Sequence, residues 1–385
     1  MNIQIKNPFD AHLHLRDPDF FFEKLNLPGS KEIPNNFNAQ RYFEEILNQT
    51  IYQWGEATVM PNAPAINDAV DLLQYRELIE AGNKTGLKFN PLMTLKIGPK
   101  TSPQTVIDAF KAGAIAGKLY PDGVTTASTG GVQDFDALSP VFKTMEDYGM
   151  ILCIHGEMPK SKNEQVNEFG IKPFNQDGDD NIFTREYRFH QVYRKIRRDF
   201  PNLKIILEHI TDHRSVKLVA DDFDAGYKTA ATITLHHLLY DIDSVLAWPG
   251  GHGEGINPHF YCKPIEKFPV DRDALISAAL SGMPCFFFGS DSAPHYIHTK
   301  ECECGCAGVF SAPVLLPMLT YFFETNTSIN KMQAFVSDFG RSFYNLPKEG
   351  NGRIIELKKE EWTVPMEIGG VHPMLAGKSI PWKVI

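Results

Sequence analysis

The chain has 385 residues, 43% of them hydrophobic and 22% charged, with a formal net charge of −9. This length fits a single large enzyme domain, since α/β barrels reach it as one unit. The acidic balance argues against nucleic acid or anionic membrane as partner, no run of about 18 apolar residues offers a spanning helix, and the first residues lack the apolar core of a signal peptide, so a cytoplasmic location is expected.

Taken in chain order, apolar runs with strand character fall at residues 9–14, 57–60, 89–95, 117–120, 151–155, 204–209, 229–234 and 285–290. Helical periodicity lies between them, at 68–84, 102–112, 136–148, 183–199 and 271–281. Such alternation predicts a parallel sheet, and eight β/α units predict a closed (β/α)8 TIM barrel, an α/β fold. Past Asp291 the pattern changes: 312–324 and 330–338 read as helices, and 350–385 as a tail of short strand-like pieces. The expected organisation is a barrel over 1–345 with a C-terminal extension, 346–385, packed on it. Three segments read as loop insertions: 20–39, 160–181 and the glycine-rich 249–257. Loops of this length bind something or move, or are tolerated surface additions.

Six residues at or just past the ends of apolar runs share one kind of chemistry. His12 and His14 sit two apart in Phe9-Asp10-Ala11-His12-Leu13-His14, so a strand presents both rings on one face, opposite Leu13 and Leu15. Lys118 lies among small and apolar neighbours, where an ammonium loses hydration unless it is paired. It reads either as half of a buried Lys–Asp pair or as a free amine, its pKa depressed, that captures CO₂ to become a carbamate able to bridge two metals. His155 and His209 each close an apolar run, with Glu157 and Glu208 close by. Asp291 follows Phe286-Phe287-Phe288-Gly289-Ser290 and reads as a helix cap or as a ligand. Four imidazoles and a carboxylate are a donor set for two Zn²⁺-like ions. Cys302, Cys304 and Cys306 could form a structural zinc site with His298, or a small-residue loop that lets backbone approach a ligand.

These residues lie in stretches that run in the order of a known family. The stretches are Asp10-Ala11-His12-Leu13-His14-Leu15-Arg16-Asp17, Val59-Met60-Pro61-Asn62, Gly117-Lys118-Leu119-Tyr120-Pro121, His155-Gly156-Glu157, Glu208-His209-Ile210-Thr211, Gly289-Ser290-Asp291-Ser292-Ala293-Pro294-His295 and Cys304-Gly305-Cys306-Ala307-Gly308. On them the chain resembles the dihydroorotases of compact bacterial type, in the amidohydrolase superfamily. The resemblance implies a barrel holding two Zn²⁺ ions. His12, His14 and Asp291 would bind one, His155 and His209 the other, and N6-carboxylated Lys118 would bridge them. It implies the reversible cyclisation of N-carbamoyl-L-aspartate to L-dihydroorotate in pyrimidine synthesis, with Asp291 as proton shuttle.

The resemblance also assigns the substrate contacts. Arg16, Asn62 and His295 would bind the substrate carboxylate, main chain near Leu238 and Ala307 the ring, and a loop with Thr125 and Thr126 would close over the site. Each has a plainer reading. Arg16 could pair with Asp17, Asn62 could serve the turn after Pro61, and His295 could lie on the surface. Thr125 and Thr126 could belong to an ordinary flexible loop. The expected partner is a small-molecule substrate, with neither nucleic acid nor membrane, and a homodimer is compatible with the reading. A hydantoinase-like cyclic-amide hydrolase would share the metal ligands and lack the Arg16–Asn62–His295 clamp. A catalytically silent scaffold would be free to lose ligands.

Overall fold

The structure is a computed structural model describing residues 2–20, 37–159, 181–247, 255–303 and 305–385. Most of the segments 20–39 and 160–181, much of 249–257, and Cys304 therefore lie outside the described residues.

The chain opens with a short strand, β1 (Asn2–Lys6), followed by eight strands that pair in parallel in sequence order. These are β2 (Phe9–Leu13), β3 (Glu56–Val59), β4 (Asn90–Ile97), β5 (Ala116–Leu119), β6 (Ile151–Ile154), β7 (Ile205–Leu207), β8 (Thr229–Ile233) and β9 (Phe286–Phe288). A parallel bridge between Leu13 and Ser292 brings the last strand back to the first, and the Asp291 amide donates to the His12 carbonyl at 2.8 Å. The sheet is thus a barrel with helices on its outside, as the β/α alternation predicts.

The connecting helices follow their local signals. Asp68 accepts hydrogen bonds from the Val70 and Asp71 amides and starts the helix Ala69–Gly82. Ser102 caps Pro103–Lys111, which has proline in its first turn. Gly282, at φ 81°, ends Pro269–Ser281. The segment 330–338 is not one continuous α-helix: Ile329–Gln333 passes through a π-turn, Ala334–Asp338, into Phe339–Phe343. The tail yields β10 (Ile354–Thr363) and β11 (Ser379–Val384), which form an antiparallel sheet in the order β1-β10-β11.

Two apolar layers result. The larger core lies between strands and helices and contains Leu13, Leu15, Val59, Leu95, Leu152 and Ile233. A smaller cluster of Phe9, Ala11, Leu92, Ala116, Ile151, Cys153, Ile206, Ala230, Phe287 and Tyr344 fills the barrel's interior. Counting by twos from these interior residues reaches Lys118, His155, Glu208 and Gly289 at the strands' C-terminal ends.

On β2 the count breaks. Phe9 and Ala11 face inward, and so do the next even positions, His12 and His14. The register of β2 against β3 shifts between Asp10 and Leu13, a bulge that re-aims the strand's last turn. Strict alternation alone would have sent either Ala11 or His12 outward. Asp10 secures the irregularity, its Oδ1 accepting from the His12 amide at 3.1 Å and the Ser290 amide at 2.8 Å.

Candidate functional site

Four imidazoles meet above the interior cluster. Ring centroids are 5.3 Å apart for His12 and His14, 4.9 Å for His12 and His209, and 4.7 Å for His155 and His209. The Asp291 carboxylate reaches toward the first pair, with Oδ1 at 3.4 Å from His12 Nε2 and 3.1 Å from His14 Nε2. One ligand atom each from His12, His14 and Asp291 lies within 4.8 Å of the others. Asp291 caps no helix, since the next one begins at Ile297. His209 and Asp291 have left-handed backbones, φ 41° and 44°, an uncommon state for such residues that gathers at functional sites.

Two glutamates orient the rings. Glu208 Oε2 accepts from His12 Nδ1 at 2.7 Å and from Thr232 Oγ1 at 2.6 Å. Glu157 Oε2 pairs with His155 Nε2 at 2.8 Å. Each pairing places the ring proton on the carboxylate side and leaves the other nitrogen with a free lone pair. Gly289 makes room for this packing, because a Cβ there would lie 2.9 Å from the Cβ atoms of both His12 and Thr232.

Lys118 is wholly buried, and its Nζ has no hydrogen-bond partner. The Lys–Asp pair that the sequence allowed is not formed. Lys118 Nζ lies 5.4 Å from the Tyr120 ring centroid. Burial lowers the Lys118 pKa against the pull of Glu208, and burial with the nearby Lys118 pushes His209 well down. Burial alone would raise Asp291, but His12 and His14 hold it well below the usual carboxylate range. Clustered imidazoles, an ionised carboxylate and an orphaned amine present lone pairs with no shared cation between them. His12 Nε2, His14 Nδ1 and His209 Nδ1 are likewise buried without a hydrogen-bond partner. Two divalent cations fit this deficit, and a carbamate on Lys118 would replace the stranded amine with an anionic ligand.

A second group flanks the rings. Arg16 is 1% exposed and donates through Nη1 to Asn62 Oδ1 at 3.1 Å, while Nη2 lies 3.5 Å from His295 Nε2. The Tyr75 hydroxyl donates to the Arg16 carbonyl at 2.6 Å, steadying a residue at φ 64°. His295 is 1% exposed, so the surface reading fails. Asn62 Nδ2 donates to the Thr126 carbonyl at 3.3 Å, and Thr126 Oγ1 donates to the Ala307 carbonyl at 3.3 Å. Thr125 is tied to Ser128, and Lys96 Nζ donates to the Ala127 carbonyl at 3.4 Å. The Thr125–Thr126 loop therefore rests on both Asn62 and the segment after β9.

The remaining sequence candidates take clear places. Leu238 is buried in the short helix Leu235–Leu239 after β8. Ala307 precedes Gly308, where a Cβ would lie 2.6 Å from the Ala293 carbonyl oxygen and 2.8 Å from the His295 ring, so this loop does need small residues. Cys302 and Cys306 are half-buried, and among the described residues they join no metal-ligand group with His298. Sequence reasoning noted Glu157 and Glu208 only as neighbours; their spacing from histidines on strand ends was the available signal. Asp10, Thr232 and the pair His236–His237 were not singled out.

Known proteins bear on this arrangement. No family model matches the chain. A dihydroorotase of Aliivibrio fischeri is 39% identical over 389 residues, covering 99% of this chain and 99% of that protein. The crystal structure of dihydroorotase from Campylobacter jejuni superposes with a TM-score of 0.78 at 34% identity, over 100% of this chain and 97% of the other. Dihydroorotase from Saccharomyces cerevisiae, in complex with 5-fluoroorotic acid, gives a TM-score of 0.81 at 30% identity, covering 100% and 98%.

Proposed function

The chain belongs to the dihydroorotase family, and from that premise we propose that the imidazole cluster is a two-zinc centre and the Arg16 group its substrate clamp. The protein is an enzyme that interconverts N-carbamoyl-L-aspartate and L-dihydroorotate in pyrimidine biosynthesis. His12, His14 and Asp291 would hold one ion, His155 and His209 the other, and carboxylated Lys118 would bridge them. The observation that carries this reading is the fully buried, partnerless Lys118 amine amid four histidines. When bound, the two ions lower the pKa of a water toward neutrality and polarise the amide carbonyl.

The chain's own residues supply the rest. Arg16, held by Asn62 and Tyr75, offers a planar fork to the substrate carboxylate, which fixes orientation as well as affinity. His295 closes the other side of that fork. 5-Fluoroorotic acid, the ligand of the yeast relative, is a pyrimidine carboxylate of the chemistry this clamp suits. Asp291, ionised between His12 and His14, accepts the proton of the attacking water and delivers it to the departing ring nitrogen. The same steps reversed give cyclisation. Thr125 and Thr126, resting on Asn62 and Ala307, exclude water over the clamped substrate. Among the described residues no helix is long and apolar enough to cross a membrane; the cytoplasmic location we propose rests on the family's part in pyrimidine biosynthesis.

The test is direct. Purified protein mixed with L-dihydroorotate should make the ultraviolet absorbance of the ring fall, a chelator should stop the change, and added zinc should restore it. Absence of turnover with two equivalents of zinc bound would overturn the proposal.

A further inference from the structure

Outside the four-histidine cluster, another set of donors converges where the helix Leu235–Leu239 meets residues 257–268. His236, His237 and Cys262 are all buried, and one ligand atom from each lies within 4.8 Å of the others. His236 is wholly buried, yet neither of its ring nitrogens has a hydrogen-bond partner. Glu266 is wholly buried too, with its carboxyl beside the Cys262 thiol. Burial raises the Glu266 pKa to about 8, and burial, with Glu266 beside it, pushes the Cys262 thiol well up. Native interiors rarely leave a buried imidazole with both nitrogens unsatisfied.

His237 stands between a hydroxyl, a carbonyl and the Cys262 thiol. Thr234 Oγ1 lies 2.8 Å from Nδ1, and Nε2 lies 3.4 Å from Cys262 Sγ and 3.1 Å from the Pro264 carbonyl. The Pro264 carbonyl can only accept, so without an ion Nε2 holds the ring proton and the Thr234 hydroxyl donates to Nδ1; moving that proton to Nδ1, where the hydroxyl can accept it, turns the Nε2 lone pair toward the thiol.

We propose that His236, His237, Cys262 and Glu266 form a further metal site, distinct from the catalytic centre, that takes Zn²⁺ or another borderline-soft divalent ion. Two imidazoles, a thiolate and a carboxylate complete a tetrahedral shell, the mark of a structural zinc rather than a catalytic one. A thiolate with imidazoles disfavours Mg²⁺ and Ca²⁺, which prefer oxygen ligands. Loading releases the Cys262 thiol proton and any proton on Glu266 to solvent, while the His237 ring proton moves from Nε2 to Nδ1, where the Thr234 hydroxyl accepts it. The bound ion would tie the short helix containing Leu238 to residues 257–268 and so stiffen one wall of the active centre.

Chelator-stripped full-length protein titrated with Co²⁺ tests the site without any assay of activity. The catalytic ligands include no sulfur, so a thiolate-to-cobalt charge-transfer band reports elsewhere. The expected result is that band, together with one metal equivalent beyond those taken by the catalytic centre. Cys262→Ser and His236→Asn should each abolish both. His236→Asn guards against loss of fold, since its ring has no hydrogen bond to lose. The triple variant Cys302→Ser/Cys304→Ser/Cys306→Ser should keep the band. A wild-type protein without the band, a band surviving in Cys262→Ser or His236→Asn, or a band lost in the triple variant overturns the proposal.

Discussion

The metal cage and the substrate clamp sit side by side but are built differently. The cage's donors stand on or next to strand ends, where barrel register fixes their positions: His12 on β2, Lys118 on β5, and His155, His209 and Asp291 just past β6, β7 and β9. Clamp residues stand on loops and hold one another through single hydrogen bonds, Arg16 to Asn62, Asn62 to the Thr126 carbonyl, and Thr126 to the Ala307 carbonyl. A rigid frame suits ions that demand fixed geometry, and jointed loops suit a substrate that must enter and leave.

That contrast predicts separable losses. Lys118→Ala should remove turnover and bound zinc together, with short carboxylic acids restoring part of both; metal analysis beside the absorbance assay checks it, and full activity would exclude the bridging carbamate. Asp291→Asn should cut the rate by about 10²–10⁴-fold in both directions while substantial metal remains. Equal rates would remove it as the proton carrier. Arg16→Ala should cost about 2–5 kcal/mol of carbamoyl-aspartate affinity and leave zinc content unchanged. A shared loss of both would join the two regions into one. Glu157→Gln, which alters only the support of His155, should weaken metal binding by about 10–100-fold, read by competition with a chromogenic chelator.

The last effect, read in stability rather than in turnover, concerns the backing of the cage. Glu186 is buried against Lys267 and receives the Thr211 and Asp212 amides, just after His209. Burial alone would raise its pKa, but Lys267 and the hydrogen bonds lower it from 4.5 to about 2. A depressed carboxylate adds stability that is fully present above its unfolded pKa and lost as pH falls through the folded one. Urea midpoints should therefore drop from pH ~5 toward ~2 in the wild type, and this part of the slope should vanish in Glu186→Gln.

What the sequence made legible follows the same division. Strand runs ending in histidine or aspartate could be read because period and composition are local, and the eight barrel strands lie within the expected runs or a residue or two beyond. The bulge that turns both Ala11 and His12 inward was not legible, because it depends on Asp10 reaching the Ser290 amide far along the chain. β1 was missed although Ile3 and Ile5 alternate with Asn2, Gln4 and Lys6; five residues without a neighbouring partner make a weak signal. The clamp needed the family resemblance, since no pattern near Arg16 points to Asn62 or His295. His236 and Glu266 were not singled out, since no local pattern links them, and only burial around Cys262 in three dimensions marks them.

The sheet that joins the two ends of the chain governs how synthesis can finish. Asn2 bonds Glu356 across 354 positions, and among the described residues β1 pairs only with β10. During translation the leading strand must wait for its neighbour to leave the ribosome, and β2 waits likewise for β9. The nascent barrel is therefore an open, curling sheet with two bare edges for most of its time on the ribosome, the state in which pairing with another chain competes most strongly.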